Sequence, residues 1–140
     1  MNLIEKCIAL SLEAHSGQTD RLGNPYILHP LHLMANVDGE EEKMTAILHD
    51  VVEDTDVTMD ELQALGLPES VLTAVALLTH DKENVPYDNY VKNLKPNPIA
   101  RAVKMADLRH NMDIRRLPKV TEKDAIRMDK YRRAWETLTT

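Results

Sequence analysis

Residues 46–55 read AILHDVVEDT and form the most informative stretch of the sequence. The apolar residues recur at helical spacing, which predicts a helix over residues 41–54 with one face towards a core. The imidazole and the three carboxylates fall into pairs four residues apart, so this prediction places all of them on one side of the helix. These four residues are His49, Asp50, Glu53 and Asp54.

Three acids and an imidazole within little more than one helical turn repel one another and destabilise the helix. A divalent cation would remove this repulsion, so the cluster favours a metal site. The alternative is a solvated acidic face, which is the usual role of a charge run. Apolar residues flank the pair His49 and Asp50 on both sides, and this pattern favours the metal site.

Two further segments contain potential ligands. In PYILHP, residues 25–30, His29 precedes a proline that suits the first turn of a helix. In VKMADLRHNMD, residues 103–113, Asp107 is an isolated acid within an apolar and basic helical pattern. Burial of an unpaired carboxylate is costly, so we expect Asp107 to meet a cation. The alternative is an ion pair with a basic residue of the same helix, namely Arg101, Lys104 or Arg109.

The rest of the chain also shows helical periodicity, and no segment alternates polar and apolar residues at strand spacing. Glycines and prolines separate the helical patterns. We therefore predict an all-α fold, a compact bundle of seven or eight helices. The other predicted helices cover residues 2–15, 30–37, 58–66, 69–79, 87–94, 98–113 and 122–138.

The composition is that of a globular protein, with 43% hydrophobic and 29% charged residues in 140. The net charge of −6 argues against binding to a nucleic-acid backbone. The longest apolar run, residues 71–78, is too short to span a bilayer, and residues 1–7 do not resemble a secretory signal. The single cysteine is compatible with a reducing compartment. We therefore expect a cytoplasmic protein that binds neither nucleic-acid polymers nor membranes.

A histidine, a His-Asp doublet and a distant aspartate, in this order, resemble the ligand pattern of HD-domain metal phosphohydrolases. More narrowly, AHSGQ…GNPYILHP, AILHDVVEDT and VKMADLRHNMD are similar to the hydrolase domain of Rel/SpoT-type (p)ppGpp enzymes, from about Ala14 to Arg116. The resemblance implies one HD-type hydrolase domain over residues 1–140, without the synthetase domain of the longer enzymes. It also implies hydrolysis of a nucleotide (pyro)phosphate ester, most specifically as a (p)ppGpp 3′-pyrophosphohydrolase that releases pyrophosphate.

The resemblance also implies the roles of individual site residues. Glu53 and Asp54 match the acidic pair that orients or deprotonates the attacking water, which are the implied catalytic residues. The implied cofactor is Mn²⁺, although the ligand types also suit Fe, Zn or Co. The residues that match the metal ligands of the family are His29, His49, Asp50 and Asp107.

Three residues are predicted to contact a small-molecule nucleotide substrate. Asn111 matches a family position that contacts the nucleotide, and Arg21 stands where a loop lysine is usual. Lys104 shares one side of its helix with Asp107, from which it could neutralise phosphate charge. His110 has two open interpretations, an approach to phosphate and a packing role.

The sequence also departs from the family at specific positions. Asp20 stands where an arginine usually helps to hold the guanine base, Leu22 replaces a usual serine, and Ile114 replaces a usual threonine. These departures leave open an HD phosphohydrolase that acts on a different nucleotide. A metal-binding or nucleotide-binding sensor without turnover is a further alternative. The pair Glu53 and Asp54 favours an enzyme, because a binding module has no evident need for a water-orienting acid.

Overall fold

Nine α-helices and one short 3-10 helix form the regular structure in the computed structural model, which describes residues 1–140. The all-α prediction is confirmed, and no helix combines the length and apolar character that a bilayer crossing requires. The 3-10 helix, Ile114–Arg116, lies between the last two α-helices. The α-helices are α1 (Leu3–Ala14), α2 (Leu28–Ala35), α3 (Glu40–Leu48), α4 (Val51–Asp54), α5 (Met59–Ala64), α6 (Glu69–Leu78), α7 (Tyr87–Leu94), α8 (Pro98–Asn111) and α9 (Glu122–Thr139).

Several helices begin where the sequence supplies a cap. The Asn2 side chain accepts the backbone N–H of Glu5, and the Glu5 carboxylate accepts the N–H of Asn2 in return. Thr121 and Asp124 form the same reciprocal box at the start of α9. Asn97 caps α8 by accepting the N–H of Ala100. These bonds satisfy amides that have no partner inside the helix, so each cap places a helix start.

The apolar core consists of two groups of buried side chains. One group joins α3 to α1, α5 and α6 around Ile47 and Leu62. The other joins α2, α7, α8 and α9 around Leu33, Leu94 and Leu108. Because α3 and α6 contribute to both groups, they hold the two halves of the core together. The meeting point of α2, α3 and α8 is thereby fixed.

The helix predicted over residues 41–54 is interrupted, which corrects that prediction. Helix α3 ends at Leu48 and α4 begins at Val51, so His49 and Asp50 lie in a turn between them. The N–H of His49 donates to Ala46, three residues back, at 3.4 Å. Asp50 has φ −127° and ψ 10°, outside the helical region. This break accounts for the ninth helix and lets both side chains of the doublet face one cavity.

Candidate metal centre and active site

Three of the four predicted metal ligands converge where α2, α3 and α8 meet. The Nε2 atom of His29 lies 2.9 Å from Oδ1 of Asp107, and Nε2 of His49 lies 3.6 Å from the same oxygen. The three ligand atoms all lie within 4.8 Å of one another, and all three residues are buried. One cation could therefore contact all three.

Asp50, the fourth predicted ligand, borders this cluster. Its Oδ2 atom lies 3.7 Å from Nε2 of His49 and accepts a hydrogen bond from the hydroxyl of Tyr26. Its Oδ1 atom lies 3.2 Å from Nε2 of His15, an ion-pair distance without the alignment of a hydrogen bond. Burial acts to raise the pKa of Asp50, but the charge of His49 and these polar neighbours outweigh it and hold the pKa below its ordinary value. Asp50 is therefore a carboxylate in this site.

Neighbouring groups determine which imidazole nitrogens face the cluster. Nδ1 of His49 lies 2.8 Å from the carbonyl oxygen of Ala46, to which it donates, so Nε2 is the nitrogen that faces the cluster. Nδ1 of His29 lies 2.7 Å from Nδ1 of His110, and the two rings are within 6° of parallel. Since one nitrogen of that pair must donate and the other accept, His110 can hold His29 with Nε2 towards Asp107.

Asp107 has partners on both carboxylate oxygens. Oδ2 lies 3.1 Å from Nζ of Lys104, while Oδ1 accepts from the Asn111 amide at 2.9 Å and faces the two histidines. Burial acts to raise the pKa of Asp107, but the charge of Lys104 outweighs it, and the pKa is well below its ordinary value. The intrahelical ion pair that was the alternative prediction therefore exists. Lys104 contacts Oδ2, whereas the histidines face Oδ1, so the ion pair leaves the ligand cluster intact.

The electrostatics of the cluster fit a metal ion. Burial acts to lower the pKa of His49, yet the charges of Asp50 and Asp107 raise it to about 9. The site thus attracts positive charge strongly enough to protonate a buried imidazole, and a divalent cation could take the place of that proton. Two imidazoles with two carboxylates also form a donor set that suits divalent transition metals.

A cavity of about 310 Å³, here called the metal cavity, opens over this centre. Helix α4 contributes Glu53 and Asp54 to its wall, so the predicted catalytic pair faces the predicted ligands. Three lysines and four tyrosines from other segments complete much of the lining. These residues are Lys82, Lys104, Lys130, Tyr26, Tyr87, Tyr90 and Tyr131.

The two acids of α4 differ in how they are held. Oε1 of Glu53 accepts the backbone N–H of His80 at 2.8 Å, and Oε2 lies 3.1 Å from Nζ of Lys82. The Asp54 carboxylate has neither a hydrogen bond nor an ion pair; the bonds of this residue are made by its backbone, whose N–H donates to Asp50 and whose oxygen accepts from Gln18. Burial, together with the charges of Asp50 and Glu53, raises the pKa of Asp54. Glu53 is therefore fixed in place, and Asp54 is free to accept a proton.

A second cavity of about 360 Å³ adjoins the first and shares Tyr26, Asn111 and Tyr131 with it. Asn111 thus lies between the two cavities. Arg21 lines only the second cavity, where its guanidinium lies 2.6 Å from Oδ1 of Asp124. The three residues predicted to contact substrate are therefore divided between the cavities, since Lys104 lines the metal cavity.

The three residues that depart from the family pattern, Asp20, Leu22 and Ile114, differ in whether they line a cavity. Asp20 lines the second cavity, and its Oδ1 accepts the backbone N–H groups of Leu22 and Asn24 at 2.9 Å each. The acid therefore stabilises its own loop. Leu22 and Ile114 are exposed and line neither cavity. Of the three departures, Asp20 is the one that could contact a ligand there.

Sequence patterns alone do not assign His15, Lys82 or Lys130 to this site. His15 is buried against Asp50, and its one sequence signal is its place in the AHSGQ motif. Lys82 follows α6 and Lys130 lies on α9, far along the chain from the ligand motifs. No spacing rule connects these lysines to the centre, because long-range packing brings them there.

An all-helical fold that gathers a histidine, a His-Asp doublet and a distant aspartate into one buried centre defines an HD-type protein. No family model matches the chain. The bifunctional (p)ppGpp synthase/hydrolase SpoT of Escherichia coli K12 is 33% identical over 149 aligned positions, which cover 96% of this chain and 20% of that relative. A probable guanosine-3′,5′-bis(diphosphate) 3′-pyrophosphohydrolase of Synechocystis is 32% identical over 123 positions, which cover 79% of this chain and 16% of the relative.

A solved structure, described as a metazoan orthologue of SpoT that hydrolyses ppGpp, has the same fold. It superposes with a TM-score of 0.78 at 24% identity and covers 99% of this chain and 84% of its own. The chain spans about a fifth or less of the length of the two curated relatives. Over most of its length, the chain is homologous to the SpoT/Rel-type (p)ppGpp hydrolases, which confirms the resemblance seen in the sequence.

Proposed function

We propose that this protein is a metal-dependent (p)ppGpp 3′-pyrophosphohydrolase. The observation that carries the proposal is the buried His/Asp centre, which opens into a cavity lined by both an acid pair and three lysines. Hydrolysis of a phosphate ester needs a proton acceptor for water and positive charge for the phosphates, and this cavity offers both. The activities named for the curated relatives support the same reaction.

The metal would be held by His29, His49, Asp50 and Asp107, and we propose Mn²⁺ as the ion. When bound there, a divalent cation lowers the pKa of water and neutralises charge on the phosphates. The protein contributes the orientation of the ligands. Ala46 and His110 direct the imidazoles, while Lys104 and Asn111 fix the Asp107 carboxylate.

Asp54 is proposed to take the proton from the attacking water. Its carboxylate has no competing partner, and its raised pKa moves it towards the range of an effective general base at neutral pH. Glu53 has a different role in this proposal, since the N–H of His80 and the ammonium of Lys82 hold both its oxygens. It is suited to orient water rather than to remove its proton.

The second cavity is proposed to hold the nucleoside, and Arg21 and Asn111 to contact it. Because the two cavities meet at Tyr26, Asn111 and Tyr131, a nucleotide could place its 3′-diphosphate at the metal and its base in the second cavity. One observation favours an alternative substrate. Asp20 places a carboxylate where the family usually has an arginine, so a different base could be preferred.

Product analysis tests the proposal. Purified, manganese-loaded protein is incubated with ppGpp and with a panel of ordinary nucleotides, and the products are separated by chromatography. We expect water and ppGpp to give GDP and pyrophosphate, and a chelator to abolish the reaction. Turnover of another nucleotide alone would identify a changed substrate. Metal binding without any turnover would instead identify a sensor.

A further inference from the structure

Lys130 lies on the wall of the metal cavity but belongs to none of its ligand or acid motifs. It is half-buried on α9, and its ammonium lies 4.6 Å from the centre of the Tyr87 ring and 5.3 Å from that of Tyr131. Cation–π contacts of this kind hold a lysine in place without neutralising its charge. Lys130 is therefore a positioned cation.

The other two lysines of the cavity each have a carboxylate partner. Lys82 pairs with Glu53 and Lys104 pairs with Asp107, both at 3.1 Å. Lys130 has no carboxylate within 4.0 Å. Helix neighbours do not supply one either, because the residues three and four positions away are Ile126, Arg127, Arg133 and Ala134.

Three further cations lie near Lys130, each paired with a carboxylate of its own. Burial, together with the charges of Lys104, Arg127 and Lys82, lowers the pKa of Lys130. Holding a partly buried cation among other cations is unfavourable unless an anion completes the arrangement. The protein supplies no such anion at this place, whereas the phosphates of a bound nucleotide would.

We propose that Lys130 binds a phosphoryl oxygen of the 3′-diphosphate that enters the metal cavity. This inference rests on the proposed function and adds a contact from α9, a helix outside the three ligand motifs. The ammonium would contact the diphosphate from the wall formed by Tyr87 and Tyr131. It would add a positive charge to a cavity whose centre carries carboxylates. A charge-assisted contact of this kind favours a phosphate-bearing ligand over an uncharged one.

Steady-state kinetics with Lys130→Met tests the contact, because methionine keeps much of the apolar stem and removes the charge. We expect the KM for ppGpp to rise about tenfold or more while kcat changes little, and Lys130→Arg to restore most of the loss. Lys123→Met, an exposed lysine on the same helix outside both cavities, is the matched control and should leave both constants unchanged. Unchanged KM in Lys130→Met would overturn the proposal.

Calorimetric titration of inorganic pyrophosphate into metal-free protein separates this inference from the proposed function. We expect Lys130→Met to weaken pyrophosphate binding about tenfold relative to wild type and Lys123→Met, with circular dichroism confirming that both are folded. If ppGpp is not hydrolysed but this difference persists, the proposed function fails and the phosphate contact stands. Equal pyrophosphate binding in wild type and Lys130→Met, or none in either, would overturn the contact whatever the substrate.

Discussion

The backbone N–H of His80 donates a hydrogen bond of 2.8 Å to Glu53 and so joins the segment after α6 to the acid pair on α4. Asp54, the next residue, has no comparable partner. The fold therefore immobilises one acid and leaves its neighbour free. Adjacent carboxylates with such different surroundings can perform different tasks, and their substitutions should have distinguishable effects.

Replacing Asp54 with asparagine should remove the proton acceptor while preserving the size of the side chain. We expect hydrolysis to slow by about 10²-fold to 10⁴-fold, with the metal content unchanged, because Asp54 lies outside the ligand cluster. Single-turnover rates and metal analysis by atomic absorption measure the two quantities. A wild-type rate in this variant would assign the proton transfer to another group.

Replacing Glu53 with glutamine keeps an oxygen that can accept the N–H of His80 but removes the ion pair with Lys82. We expect hydrolysis to slow by about 10²-fold, because water is no longer held by a charged group, and the metal content again to remain unchanged. Loss of metal in this variant would contradict the assigned role and indicate that Glu53 supports the ligands.

The pH dependence of kcat/KM separates the two acids. A protonated Asp54 cannot accept a proton, so activity should fall as the pH decreases through the raised pKa of Asp54, above the ordinary aspartate value. In Glu53→Gln the neighbouring negative charge is lost, which should lower the pKa of Asp54 and move the acid limb to lower pH. In Asp54→Asn this limb should disappear. An acid limb that is identical in all three proteins would exclude Asp54 as its source.

His110 is predicted to support metal binding through His29. Replacing it with phenylalanine removes the partner of His29 Nδ1, and we expect metal affinity to fall about 10-fold to 100-fold. His32→Phe is the control. The ring centres of His32 and His110 lie 3.8 Å apart, but His32 makes no hydrogen bond to His29. Competition titration with a chromogenic chelator measures the affinities. Equal affinities in the two variants would show that the bond to His29 has no part in holding the metal.

Tyr26 and Tyr87 form a natural pair for a stability test. The Tyr26 hydroxyl donates to the buried carboxylate of Asp50, whereas the buried Tyr87 hydroxyl has no hydrogen-bond partner. In urea unfolding of the metal-free protein, Tyr26→Phe should reduce the free energy of unfolding by about 1.5–3 kcal/mol. Tyr87→Phe should leave it unchanged or increase it slightly. If Tyr87→Phe reduced the free energy of unfolding more than Tyr26→Phe did, the Tyr26 hydroxyl would not be the stabilising one of the two.

Much of the fold is predictable because its determinants are local. Apolar periodicity and caps such as Asn2 and Thr121 identify the helices and their starts. The break after Leu48 escaped prediction, since residues 41–54 keep a helical apolar pattern and contain neither glycine nor proline. Tertiary contacts of His49 and Asp50 override the local preference there.

The residues of the site also divide into those that local sequence patterns identify and those that only tertiary packing brings to the centre. His29, His49 and Asp107 are recognisable because each lies in a motif whose polar residue is out of place among apolar ones. Lys82 and Lys130 carry no such signal, since a lysine on an amphipathic helix or in a loop is ordinary in any sequence. Their approach to the centre depends on how α6 and α9 pack, which no local pattern encodes.

The turn at His49 and Asp50 also divides the AILHDVVEDT motif into two parts that can change independently. The doublet is anchored by α3 and the buried core, while the acid pair belongs to the four-residue helix α4. Substitutions within α4 could abolish turnover and leave the cation-binding doublet in place. A lineage carrying this fold could thus convert a hydrolase into a receptor by changing one helical turn, without rebuilding the centre.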